Sequence, residues 1–509
     1  MVGIFSSAAD EKWKDGIFFM QFVIIGIYIA IMIGVAVFSA KKATTLNDFY
    51  LGGRSIGGWM TAFSYGTTYF SAVMFVGYAG RLGYQFGLSV IWIGIGNAIL
   101  GSYVAWKLLA KPTHDMTRRL DVSTMPAFFE KRFLSKNMKI FAAVVIFIFL
   151  VPYCASVYQG LSYIFESVFH VPYEYCMIGM AALTLLYLLV GGYIASTLSD
   201  FIQAIIMIVG VVLMIGFILA APEVGGIMGG LEKIGRIDAS KATLFGDSTR
   251  AVSLIASVIT TSIGTWGLPQ MLHKFYAIRD EKAIRRGTVI STLFALVIAG
   301  GTYFIGIFGT LFSGGQVPID AATGAANADL IMPTMIHAAL PEALLGVIVV
   351  LVLAASMSTL SSLVLVSSST ISMDLVKGVI KKDMSSKKTL LLMRVMCAVF
   401  VLVSLVIALD KNNAILTLMS FSWGAISGSF LAPFLLGVRW KKITRAGAWA
   451  GMLCGLGTTV ILALAWGLDT SKSTIIASIS MVVSMLATVF VSLGTKKFPK
   501  EHVEEVFGE

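Results

Sequence analysis

A chain of 509 residues with 57% hydrophobic and 13% charged residues excludes a string of soluble domains and describes a bundle of membrane helices. The formal net charge of +11 does not point to nucleic acid, because Lys and Arg sit in short stretches between apolar runs and no polar domain could carry a phosphate-binding face.

The hydrocarbon core of a bilayer is roughly 30 Å thick and a helix rises about 1.5 Å per residue, so a span needs about 20 mostly apolar residues. Apolar runs between polar breaks predict thirteen spans, near 17–40, 56–80, 84–110, 138–168, 173–193, 196–220, 250–272, 288–313, 342–374, 389–409, 413–438, 446–466 and 473–494. The first is too long for a signal-peptide core and lacks a basic flank before it, so it is expected to be a retained span stopped by Lys41 and Lys42. Span two, with Gly57, Gly58 and Gly66 ahead of Thr67-Thr68-Tyr69-Phe70-Ser71, suits a broken helix. Asp200 falls in the first turns of span six as the acidic residue set clearly inside an apolar run, while Arg81, Glu166 and Asp374 lie at span ends and read as interfacial. Span seven carries a second interruption at Gly264-Thr265-Trp266-Gly267-Leu268-Pro269. Cys154, Cys176, Cys397 and Cys454 lie in or beside apolar runs without Cys-x-x-Cys spacing and read as small buried hydrophobes.

Charge sets the orientation. Lys41/Lys42/Arg54, Lys111 through Lys139, Lys274 through Arg286, Lys377 through Lys388, Arg439 through Arg445 and Lys496/Lys497 fall on one side, while the stretch from Ser313 to Pro341 on the other has no Lys or Arg. The positive-inside rule then predicts an outside N-terminus and an inside C-terminus in an inner or plasma membrane. Spans two and seven are five apart, and an odd offset forces opposite orientation. That is the topology of an inverted five-helix repeat whose matched interruptions mark a midplane binding site. The expected organisation is a peripheral first helix (17–40), a first repeat (56–220), an inverted second repeat (250–438), two peripheral helices (445–494) and a cytoplasmic tail (495–509).

Span nine holds the densest polar cluster, Ser356-Met357-Ser358-Thr359-Leu360-Ser361-Ser362. Ser358, Ser361 and Ser362 share one helix face, and the Thr359 hydroxyl lies over the Ala355 carbonyl. A hard cation needs several oxygen ligands, which hydroxyls and the carbonyls of a broken helix supply without a large charge; the alternative is hydroxyls bonding back to their own helix or gluing neighbours. A carboxylate within a span costs about 2.5–3.5 kcal/mol without a partner, and a sodium ion shared with Ser361 and Ser362 would be one for Asp200. A protonated Asp200, or one hydrated from the cytoplasm, is the alternative. A pocket among spans two, four, seven and eleven would present Tyr69, Ser71, Tyr153, Trp266 and Trp423 with no basic side chain, leaving a carboxylate to rest on helix-terminal N–H groups and hydroxyls. The five histidines lack HExxH spacing and no Walker-type loop is present, so the chain reads as no enzyme and as driven by an ion gradient without a cofactor.

Four stretches carry a family resemblance: Asp48-Phe49-Tyr50-Leu51-Gly52-Gly53-Arg54-Ser55; Gly191-Gly192-Tyr193 with Asp200 and Gln203; Gly267-Leu268-Pro269 with the basic loop to Arg286; and Ala355 through Ser362. Together they resemble the sodium:solute symporters, and the resemblance covers spans one to eleven. It implies an all-α polytopic LeuT-type fold of inverted 5+5 repeats with flanking helices. It also implies a principal sodium site from the carbonyls of Thr67, Phe70 and Ala355 with the hydroxyls of Ser358 and Thr359, and a second-sodium pattern at Asp200, Ser358, Ser361 and Ser362. For the solute, Thr68-Tyr69-Phe70-Ser71, Gly267-Leu268-Pro269 and Asp329-Leu330-Ile331-Met332-Pro333-Thr334 look like the pantothenate-type branch, with Thr68 joining the substrate set. Tyr153-Cys154-Ala155-Ser156 looks proline-type, although proline-type members carry an Asp where this chain has Tyr69 and aromatic residues where it has Thr261 and Thr265. Members that take sialic acid carry an Arg in place of Tyr153.

The resulting expectation is sodium-coupled import of a small carboxylate, pantothenate- or monocarboxylate-like, with proline or another amino acid as the alternative and a sugar symporter, sensor or channel behind them. The partners expected are the solute, sodium ions and the lipid bilayer, with no nucleic acid and no obligatory protein partner.

Overall fold

The computed structural model describes residues 2–40, 45–169, 171–320, 324–409 and 414–508; Lys41 and Lys42, expected to stop the first span, lie outside them. Among the described residues the chain is helical, with two isolated bridges and no strand. Ten helices are long and apolar enough to cross a membrane, or eleven when one bent pair counts as a span.

In chain order the elements used below are α1 (Val2–Ala40), α2 (Gly58–Tyr69), α3 (Val73–Arg119), α4 (Lys136–Phe169), α5 (Tyr173–Ala220), α6 (Gly226–Ile237), α7 (Ser248–Gly267), α8 (Pro269–Ala277), α9 (Glu281–Phe312), α10 (Ile331–Ala339), α11 (Glu342–Ile380), α12 (Ser386–Ala408), α13 (Ile415–Arg439), α14 (Arg445–Ala465), α15 (Thr470–Gly494) and α16 (Lys500–Phe507). α6 and α16 were not anticipated. α16 docks the expected tail: Val506 is fully buried, its carbonyl accepts from Arg119 Nη1 at 2.7 Å, and His502 Nε2 lies 3.0 Å from the Arg132 carbonyl.

Two helices are too long for one crossing. α3 has 47 residues and α5 has 48, about 70 Å each at 1.5 Å per residue, against a hydrocarbon core of roughly 30 Å. Each contains one glycine in a backbone region that side chains exclude: Gly87 at φ 59°, ψ −139° and Gly192 at φ 56°, ψ −146°. A Cβ on Gly192 would also stand 2.7 Å from the Phe49 carbonyl oxygen and 2.6 Å from its ring. Gly192→Ala is therefore expected to lower stability by about 1–3 kcal/mol from backbone strain alone; an unshifted thermal melt of the purified protein would count against this account of the bend.

The anticipated helix breaks occur where expected. α2 ends at Tyr69, and Phe70 is extended (φ −107°, ψ 98°) before α3 begins. α7 and α8 meet at 46° because Pro269 pushes Leu268 out of the helical region (φ −82°, ψ 122°) and then starts α8 at its first turn.

α11 is the hub, buried on every face from Ile348 through Thr370, with α1, α4 and α5 packed around it. A helix apolar all round belongs at the centre of a bundle, so its nine Ser and Thr hydroxyls from Ser356 to Thr370 must find partners in protein. α1, α12 and α14 instead leave much of their apolar surface exposed, as helices on a lipid-facing rim do.

Asp374, expected at a span end, is buried there in protein: it is 2% exposed, accepts from Thr124 Oγ1 at 2.7 Å and lies 4.0 Å from Lys139 Nζ. Two sequence expectations change. Cys454 is exposed, unlike the three buried cysteines. Lys274, assigned to a basic loop, lies inside α8, all of whose residues are buried.

Candidate functional site

The end of α2 leaves backbone carbonyls without helical partners, and the hydroxyl face of α11 meets them. Ser358 Oγ donates to the Thr67 carbonyl at 2.8 Å and to the Ala355 carbonyl at 3.0 Å. Thr359 Oγ1 lies 3.3 Å from the Thr67 carbonyl and 3.2 Å from those of Thr68 and Ala355. Three carbonyls and two hydroxyls thus converge at fully buried positions. The set has no carboxylate, as suits a monovalent hard cation that keeps a small net charge. Thr67, Ala355, Ser358 and Thr359 stand together as expected. Phe70 forms the break itself, and no hydrogen bond among the described residues ties its carbonyl to these hydroxyls. Thr68, expected at the solute, gives its carbonyl here.

A second cluster adjoins the first. Ser361 Oγ donates to the Ser358 carbonyl at 3.0 Å and lies 2.9 Å from Ser196 Oγ. Ser362 Oγ lies 3.0 Å from Thr68 Oγ1 and accepts from Lys274 Nζ, also at 3.0 Å. Asp200 Oδ2 accepts from Ser64 Oγ and lies 3.7 Å from Lys274 Nζ, with the two charged side chains 0% and 1% exposed. Asp200 does not bond directly to Ser361 or Ser362 among the described residues; an ammonium links it to Ser362. Sodium is the partner expected for Asp200; the cation beside it here is the ammonium of Lys274.

That lysine was legible in principle. The predicted span ends at Leu272, yet Phe275, Tyr276 and Ala277 follow Lys274 and all three are buried. A cation followed by three apolar residues, five positions after a helix-starting proline, belongs to the helix. Its ammonium also stands over the Tyr193 ring, 5.2 Å from the centroid.

One turn beyond, the break opens on a central cleft lined by Tyr69, Phe70, Ser71, Thr261, Tyr303 and Trp423, with Met74, Tyr78, Asn97 and Met419 completing it. Tyr69 and α7 close it: the Tyr69 hydroxyl donates to the Thr261 carbonyl at 2.6 Å, and Thr261 and Ser262 donate to Asn97 Oδ1 at 3.0 and 2.9 Å. The remaining volume of ≈ 10 Å³ is about the room of one water. Tyr69, Ser71 and Trp423 line this cleft as anticipated, and Tyr153 packs edge-on to Trp423 with centroids 5.8 Å apart. Trp266 is turned elsewhere, donating to the Leu100 carbonyl at 3.1 Å. Trp423 Nε1 is buried with no acceptor among the described residues. Asn97 and Tyr303 escaped the sequence reading because neither stands beside an interruption.

On the side away from Lys274, Arg81 clamps Asp329 through Nε and Nη2 at 3.2 and 2.9 Å. The other oxygen of Asp329 accepts from the Ile415 amide at 3.2 Å, tying α3 to the start of α13. A cleft of ≈ 610 Å³ lined by Arg81, Tyr84, Lys241, Arg250 and Asp469 lies over this link. Burial holds the Lys241 ammonium below its ordinary value.

A family model described as the sodium:solute symporter family matches residues 49–455. The chain is 31% identical over 494 residues to the osmoregulated proline transporter OpuE of Bacillus subtilis (strain 168), covering 95% of this chain and 96% of that protein. It is also 31% identical over 440 residues to the sodium/proline symporter of Escherichia coli (strain K12), covering 86% of each. Its fold is similar to that of a Na+-coupled sialic acid symporter solved in a substrate-bound outward-open state, with a TM-score of 0.75 at 18% identity over 94% of this chain and 98% of that one.

Proposed function

Because the chain belongs to the sodium:solute symporter family, a family of transporters and not enzymes, we propose that it imports proline, or an amino acid close to it, together with sodium across the plasma membrane. The observation that carries the sodium half is the meeting of the Thr67, Thr68 and Ala355 carbonyls with the Ser358 and Thr359 hydroxyls at the broken end of α2. Phe70 has a positional role, since its extended backbone is what leaves those carbonyls free.

The solute half departs from the pantothenate- or monocarboxylate-like reading drawn from three short motifs. Relatives matched over 86% and 95% of this chain carry proline in their names, and short motifs weigh less than similarity along the whole length. The cleft chemistry agrees: Tyr69, Ser71, Asn97 and Trp423 offer neutral donors and acceptors with no charged side chain, which suits a zwitterion of no net charge. Trp423 Nε1, buried without an acceptor, is the donor we assign to the solute carboxylate. Tyr153 supports that indole from the side.

The glycine breaks at Gly87 and Gly192 divide α3 and α5 into two crossings each, which supports thirteen spans with the N-terminus outside and the C-terminus inside. It also supports repeats over 56–220 and 250–438, each beginning with a broken helix, and the flanking helices at 17–40 and 445–494. A cleft of ≈ 10 Å³ cannot hold an amino acid, so transport requires α2 and α3 to move away from α7 and α13, as alternating access demands.

Reconstituted protein is expected to accumulate radiolabelled proline faster under an inward sodium gradient than under an equal potassium gradient. Equal rates would remove sodium coupling, and competition by pantothenate but not by proline would return the solute to the carboxylate reading. Trp423→Phe is expected to raise the KM for proline by about 2–10-fold, the value of one hydrogen bond, while leaving sodium activation unchanged.

A further inference from the structure

Resting on the sodium reading above, we propose that Lys274 is a tethered cation that occupies the second ion position, so that this symporter binds one sodium ion and not two. Some members of the family that the chain resembles have a second-sodium pattern, which would fall here on Asp200, Ser358, Ser361 and Ser362. In this chain the Lys274 ammonium already bonds to one of those hydroxyls, Ser362 Oγ at 3.0 Å, and lies 3.7 Å from Asp200 Oδ2. It does so from a side chain 1% exposed, on a helix with every residue buried.

Charge makes the two cations alternatives. Asp200 with Lys274 is a neutral pair, and Asp200 with sodium would be a neutral pair, but Asp200 with both leaves an uncompensated positive charge in a dry site. Geometry points the same way. The ammonium is a donor to Ser362, whose oxygen would have to turn its lone pairs to a metal ion at the same moment, and Thr68 already lies 3.0 Å away on the other side. The principal set does not compete, because none of its five oxygens bonds to Lys274. Lys274 also reports on α8: it rides on the helix that follows the α7 break, so movement of α8 would withdraw the tethered charge from Asp200. A free ion would have no such link to the repeat.

The test is the number of sodium ions bound at saturation to purified protein, measured with radioactive sodium and no solute, for wild type, Lys274→Gln and Lys274→Met. One ion in wild type and two in either variant is the expected result, with the extra ion lost again when Asp200→Asn is added. Two ions in wild type would overturn the proposal even if neither variant folds. One ion in a folded Lys274→Gln or Lys274→Met protein would overturn it as well. No bound sodium in wild type would sink the principal site and the coupling reading with it, an outcome distinct from a count of two.

Discussion

Asp200→Ala is expected to lower stability by about 3–5 kcal/mol, the cost of leaving one member of a buried ion pair without its partner. Lys274 would keep the Ser362 hydroxyl, 3.0 Å away, as a hydrogen-bond acceptor, too little for an ammonium with a 1% exposed side chain. Ser64 would lose its acceptor in the same step. A buried pair is expensive to break and cheap to replace as a unit. Asp200→Leu combined with Lys274→Met should therefore melt near wild type. The measurement is thermal melting in one detergent for the single and double variants. A single variant as stable as wild type would mean that the two charges do not compensate each other. Asp200→Asn should fall between, since it keeps an oxygen for Ser64 but not the charge that balances Lys274.

Thr359→Ala is expected to raise the sodium concentration for half-maximal uptake by about 10–100-fold, because a hydrogen-bonding or ligating interaction with a charged group is worth about 1.5–3 kcal/mol. The hydroxyl stands within 3.3 Å of three carbonyls at once, so its loss removes an oxygen from the centre of the set. Ser358→Ala should act in the same direction. Ser356→Ala is the control. Two residues away on the same helix, its hydroxyl bonds back to the Val352 carbonyl at 2.7 Å, so sodium activation should not move. Parallel shifts at Ser356 and Thr359 would mean that the effect comes from loosening α11, and the ion site would have to be sought elsewhere.

The elements were legible where one local rule decides them. Apolar length marked the stretches that form long apolar helices, though two of these run through predicted span boundaries, and Pro269 after Leu268 marked the α7 break because proline restricts the residue before it. The hydroxyl face of α11 could be read from spacing, since 3.6 residues per turn fixes which oxygens lie together. What lay beyond reach was what each face meets. Spacing places Asp200 in a span but cannot say that α8 brings Lys274 to it from 74 positions away. Hydropathy made the same lysine look like the start of a loop, because a charge ends an apolar run whether it is hydrated or paired. The cleft shows the same limit: Tyr69 and Ser71 are signalled by the break beside them, while Asn97 and Tyr303 enter only because α3 and α9 pack there.

The clamp of Arg81 on Asp329 and the pair of Lys274 with Asp200 lie on opposite sides of the central cleft but in different media. Arg81 keeps 19% of its side chain exposed and borders a cleft of ≈ 610 Å³, while Lys274 and Asp200 are sealed. At physiological ionic strength, charges in contact with solvent are screened over about 8 Å, whereas buried pairs feel dissolved ions far less. The two faces of the transporter therefore answer differently to the bath. Arg81 is the more exposed of the two cations, so added salt is expected to weaken its pair with Asp329 more than it weakens the Lys274 pair.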